Sequence, residues 1–105
     1  MALSFDLTED ATADLEAAAI FLAERSEAAA LRLTDDLENA FTLIAQHPRL
    51  GRVRDEYSGL EGLRFWTSAG YLIAYLSDRS PILILAVLHG ARDAASIISL
   101  RIGRI

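Results

Sequence analysis

The chain has 105 residues, 52% of them hydrophobic and 24% charged, with a formal net charge of −5. That balance describes a folded globular chain rather than a disordered one, and the acidity argues against a general nucleic-acid binder. With no cysteine in the sequence, disulfides and thiolate metal sites are excluded, and a reducing cytoplasm is the expected setting.

The start, MALSFDLTED, has no basic stretch ahead of an apolar one and does not read as a signal peptide. Leu3, Phe5 and Leu7 alternate with Ser4 and Asp6, the period of a short half-buried strand. Thr8 is placed to cap a helix, with Glu9 and Asp10 in its electropositive first turn. Ala11, Leu15, Ala18 and Leu22 then mark one face of a helix running to about Arg25. Ser26 is the next capping residue. Ala30, Leu33, Leu37, Ala40 or Phe41, and Ile44 form the stripe of a second helix, which Pro48 ends near Gln46. So short a link predicts an antiparallel helical hairpin.

After Gly51 the period changes. Arg52–Glu56 could form a short strand, and Leu63–Thr67, Tyr71–Ser77 and Ile82–His89 read as three strands separated by Ala69-Gly70 and by residues 78–81. Their short links predict an antiparallel meander. Asp93 then caps a short last helix containing Ile97, Ile98 and Leu100. The fold class expected is α+β: an N-terminal strand, a helical hairpin packed on a three- to four-stranded antiparallel sheet, and a C-terminal helix, within one domain over residues 1–105.

Two features bear on function. First, the charge is divided. Residues 1–46 carry ten acids against Arg25 and Arg32, a net −8, while residues 47–105 carry eight arginines against five acids, a net +3. All ten basic residues are Arg, the side chain suited to bidentate pairing with carboxylate or phosphate. Second, YLIAYL and ILILAVL are apolar on both sides. Two helices cover one sheet face, so the other needs sheet curl, the C-terminal segment or another protein. The expectation favoured here is a protein partner, because exposed apolar patches of that size mark interaction sites.

With these segments in order, the chain resembles the RelE/ParE superfamily of toxins from bacterial type II toxin–antitoxin systems, and its ParE-like branch of plasmid stabilisation proteins in particular. The likeness is carried by ATADLEAAAIFLAERS (11–26), AFTLIAQHPRLGRVRDE (40–56), GLRFWTSAGYLIAYL (62–76) and ILAVLHGARD (84–93). The resemblance implies a cytoplasmic toxin, neutralised by a cognate antitoxin that wraps it, as a homodimer or as a hetero-oligomer with that antitoxin. ParE-like members are described as poisoning DNA gyrase through protein–protein contact, with neither cofactor nor metal. RelE-like members cut messenger RNA on the ribosome, and an inactive dimerising homologue is the third reading.

A ribonuclease needs a general base and cations for phosphate charge. His89, Arg64 and Arg92 are the residues that could mimic such a site, but the chain has no Lys and no Tyr after Tyr75. The expectation is therefore a chain without chemistry of its own, whose partner-binding residues are Arg49, Arg52, Arg54, Arg64, Trp66, Tyr71 and Arg92. Trp66 and Tyr71 also serve packing, and His89 is expected to hydrogen-bond a backbone carbonyl or Asp93. His47 and His89 lack the spaced carboxylates of a metal site.

Overall fold

A computed structural model describes residues 4–54, 60–90 and 93–104. The elements are β1 (Phe5–Leu7), α1 (Glu9–Ala23), α2 (Glu27–Gln46), β2 (Leu63–Ser68), β3 (Tyr71–Leu76), β4 (Ile82–His89) and α3 (Ala94–Ile102). Both expected helix starts are capped. Thr8 Oγ1 accepts the Ala11 N–H at 3.0 Å, and Ser26 Oγ accepts that of Ala29 at 3.2 Å. The periodic stripe of α2 is buried from Ala30 to Ile44. On α1, Ala11 and Ala18 are buried, with Leu15 and Leu22 packed at the margin of the same core.

The sheet has the order β1-β4-β3-β2. β2, β3 and β4 form the expected antiparallel meander. β1 lies parallel to β4, with Phe5 opposite Ile82 and Leu7 opposite Ile84, so the sheet is mixed rather than wholly antiparallel. Hydrophobic period gives a strand's inward face and not its direction, and a strand joined through a helical crossover is free to run parallel. The expected strand at Arg52–Glu56 reduces, among the described residues, to one bridge between Arg52 and Phe65; residues 55–59 lie outside the described set.

One face of the sheet (Tyr71, Ile73, Tyr75, Ile82, Ile84, Val87) packs on the helical hairpin. The other face (Leu63, Phe65, Leu72, Ala74, Leu76, Leu85) does not wait for a partner. It is covered by α3 through Ala94 and Ile98, with Ile102 at the margin. Every residue of β3 is buried within the single chain, which corrects the expectation of an open face.

A β-bulge makes the second face fit. The β3–β4 register shifts between Ala74 and Tyr75, whose partners are Ala86 and Ile84. Leu85 is thus the extra residue, and both Leu85 and Ala86 fall in the second-face cluster while Ile84 and Val87 face the hairpin. Such an insertion breaks strict alternation and bends the strand.

The β2–β3 turn carries left-handed backbone at both Ala69 (φ 53°) and Gly70 (φ 82°), the geometry of a two-residue hairpin loop that favours Asn-Gly. Alanine is strained there and asparagine is not. Ala69→Asn is expected to raise stability by about 0.5 kcal/mol, read as a higher urea midpoint at unchanged slope.

Candidate functional site: an arginine border beside β2

Pro48 stops α2, and the chain turns at once, with the Leu50 N–H bonding the His47 carbonyl at 2.9 Å. What holds this turn is a side chain from the middle of the sheet. Tyr75, fully buried, donates its hydroxyl to the Pro48 carbonyl at 2.7 Å and accepts the Gly51 N–H at 2.8 Å. Only glycine fits at position 51. A Cβ there would sit 2.5 Å from the Tyr75 hydroxyl and 2.9 Å from the Phe65 carbonyl. Arg64 completes the anchor, donating to the Gly51 carbonyl at 2.8 Å and to that of Arg49 at 3.3 Å. Arg52 exchanges backbone hydrogen bonds with Phe65 at 2.7 and 2.9 Å.

The anchored segment presents a border of exposed Arg49 and Arg52, exposed Leu50 and Val53, and half-buried Arg54, whose guanidinium stands 5.4 Å from the centre of the Phe65 ring. An open cleft of about 1010 Å³ adjoins it, lined by His47, Arg49, Leu50 and Arg64 on one side and Glu61 and Asp78 on the other. Trp66 is half-buried at the edge of the hairpin-side core. Of the five expected partner-binding arginines, three thus share one border and a fourth, Arg64, builds it. Arg64 bonds carbonyl oxygens here.

Burial pushes the Tyr75 hydroxyl above its ordinary value of 10.0, more than the Gly51 hydrogen bond and the nearby Arg64 charge pull it down. A tyrosine raised in the folded state keeps its proton longer than in the unfolded chain. Its contribution is therefore complete below pH 10.0 and is lost as pH rises through the folded value. Stability is expected to fall above pH 10.0, checked by urea midpoints across an alkaline series.

The remaining site residues lie elsewhere. Tyr71 is buried, and the exposed His89 stands directly across from it in β4, ring centroids 5.0 Å apart. Its interaction is this tilted ring contact, where a hydrogen bond to a carbonyl or to Asp93 was expected. Asp93 occupies the position before α3 but in left-handed backbone, and its side chain makes no capping bond. Arg92 is outside the described residues. Arg64 is paired with Tyr75, and His89 with Tyr71. Four residues of β3 separate the two levels, about 13 Å along the strand. Arg64 and His89 are therefore not gathered into one ribonuclease-like centre. Among the described residues no three His, Asp or Glu side chains are grouped to hold a metal ion, and no helix is long and apolar enough to cross a membrane.

A family model described as the ParE toxin of the type II toxin–antitoxin system parDE matches residues 5–94. The chain belongs to the ParE toxin family. Its fold is similar to that of a solved structure described as a chromosomal ParDE toxin–antitoxin system from P. aeruginosa. That match has a TM-score of 0.66 and 22% identity over 85% of this chain and 97% of the other. No curated protein matches.

In this ParE-family chain the residues that sequence reasoning missed are long-range anchors. Tyr75 reaches the turn after α2. Asp14 and Arg101 form a two-pronged ion pair at 2.6 and 2.8 Å, with both side chains about 15% exposed. Asp14 also accepts the Val87 N–H at 2.9 Å, and Arg101 donates to the Leu85 carbonyl at 3.1 Å. Those two groups lie on the border of β4 just beyond its pairing with β1, so the ion pair supplies the partners a further strand would have given. The pairing with Asp14 holds Arg101 even more firmly protonated than usual. The only sequence signal was Asp14 within the Ala-x-x-Asp-Leu start that resembles the family.

Proposed function

We propose that this ParE-family chain is the toxin of a toxin–antitoxin pair, neutralised by its cognate antitoxin and acting in the cytoplasm by inhibiting DNA gyrase through protein–protein contact. The observation that carries the reading is the family match over residues 5–94. The arginine border supports it. Exposed Arg49 and Arg52 interleaved with exposed Leu50 and Val53 suit a partner segment that alternates acidic and apolar residues, with charge steering the encounter and apolar contact holding it. Ribonuclease action has less support, because Arg64 is occupied with the carbonyls of residues 49 and 51 and stands far from His89.

The deciding experiment is a supercoiling assay with purified gyrase and this chain, repeated with the small protein encoded beside its gene. Inhibition relieved by that protein is the expected result. Unchanged supercoiling alongside cleaved transcripts on induced expression would overturn the gyrase target. For the border itself, Arg49→Glu with Arg52→Glu is expected to weaken antitoxin binding about 10- to 100-fold, with thermal stability unchanged because both side chains are exposed. Calorimetric titration of the two purified proteins at low and high salt measures it.

A further inference from the structure

β2 is the outermost strand on its side of the sheet, and its free edge is closed only in part. Phe65 gives both its N–H and its carbonyl to Arg52, away from β3. Backbone groups on an antiparallel strand alternate in direction from one residue to the next, so the N–H and carbonyl of the exposed Thr67 point outward as well. Among the described residues nothing bonds them. The segment that pairs with Phe65 does not run on to Thr67, because Gly51 is drawn to the Tyr75 hydroxyl on the hairpin side. Trp66, Thr67 and Ser68 also carry none of the charges or prolines that ordinarily guard an edge.

A cleft lies on each side of this edge. On the second face, about 370 Å³ of open space is lined by Arg52, Arg54, Phe65, Thr67 and Leu72. On the hairpin side, about 350 Å³ is lined by Trp66 together with Asp36, Asn39, Ala40 and Leu43 of α2. An extended segment laid along the edge sends successive side chains to opposite faces. The residue level with Thr67 therefore meets Arg52 and Arg54, and its two neighbours meet Trp66 and Leu43. Charge sets what each position takes. The arginines attract a carboxylate on the second face, whereas Asp36 repels one on the hairpin side, where Trp66 and the 38% exposed Leu43 offer apolar surface.

We infer that the β2 edge takes up a strand from another polypeptide, in which an acidic residue stands level with Thr67 between two apolar ones. The Thr67 N–H and carbonyl supply the main-chain pairing, and the two clefts supply the selectivity. A second copy of this chain is a poor occupant, since its own β2 edge offers Trp66, Thr67 and Ser68 with no acid among them. Under the proposed function the strand belongs to the antitoxin, and that attribution alone rests on that reading.

A short synthetic peptide alternating Glu and Val tests it, with one alternating Lys and Val as its control. At saturation the Glu peptide is expected to slow exchange of the Thr67 amide hydrogen at least about tenfold, and the Lys peptide to leave it unchanged. Thr67→Pro removes the outward donor and spares the ladder with β3, since proline is tolerated where the N–H faces solvent. It is expected to bind the Glu peptide at least about tenfold more weakly, while Thr67→Val, which keeps the donor, binds as the parent does. Arg52→Glu is expected to transfer the preference to the Lys peptide. An unslowed Thr67 amide, or Thr67→Pro binding at parental strength, overturns the inference. So does a dimer of the chain alone in which Thr67 is already protected, because the edge then belongs to a second copy. Should Thr67→Pro fail to fold, Thr67 protection in the parent and the reversed preference of Arg52→Glu decide. Neither gyrase nor the neighbouring protein enters this titration, so its outcome stands whatever the supercoiling assay gives.

Discussion

Replacing Asp14 by alanine is expected to destabilise the chain by about 3 kcal/mol, the low end for breaking a buried ion pair, and to lower Tm by roughly 12–24 °C. The low end applies because both partners keep about 15% exposure. Three losses coincide in this one change. Arg101 keeps its charge without its carboxylate, the Val87 N–H loses its acceptor, and α3 loses its strongest hold on α1. Asp10→Ala is the matched control. It also removes an α1–α3 ion pair, but one whose side chains are 38% and 55% exposed, and such pairs contribute under about 1 kcal/mol. Thermal unfolding of the two variants by circular dichroism measures the difference. Equal shifts would show that the buried hydrogen bonds to β4 contribute nothing beyond surface charge.

Tyr75→Phe is expected to destabilise by about 2 kcal/mol. The ring stays and its packing is conserved, so the change isolates the hydroxyl. Its loss leaves the Gly51 N–H and the Pro48 carbonyl without their shared partner. Urea unfolding should show a lower midpoint at an unchanged slope. Because the same hydroxyl is the group whose ionisation burial delays, the variant should also lose stability less steeply above pH 10.0 than the parent chain. A parent-like alkaline profile in the variant would assign that loss to other groups.

The elements legible in the sequence were those whose signal is local. The four-, three- and four-residue spacing from Ala11 to Leu22 predicts α1, Pro48 predicts the end of α2 at Gln46, and Ala69-Gly70 predicts the β2–β3 turn, all as observed. The arginine border was legible in part. Arg49, Arg52 and Arg54 cluster in sequence, and the turn after α2 keeps them together. What stayed hidden depends on pairs far apart in the chain. The Asp14–Arg101 pair spans 87 residues and the Tyr75 anchor 24 and 27. Among ten acids in the first 46 residues, only the Ala-x-x-Asp-Leu start sets Asp14 apart, and that motif does not say which way the side chain faces. The bulge at Leu85 was equally hidden, because an apolar run such as ILILAVL is compatible with either phase. The second sheet face was misjudged for a related reason. Counting only the two long helices left out the nine-residue α3, whose Ala94 and Ile98 join that face.

The ion pair on β4 also determines where the first and last described elements lie. β1 pairs with the first half of β4, Arg101 bonds the residue just beyond it, and Arg104 reaches Asp10. β1 and the end of α3, the first and last described elements, therefore lie along a single rim. An affinity tag or fusion partner at either terminus loads that rim, whereas the opposite side, where the arginines stand, stays clear for assays of partner capture. A short tether joining the old termini, with a new opening at the exposed Asp78–Ser80 turn, would re-order the chain without crossing its core.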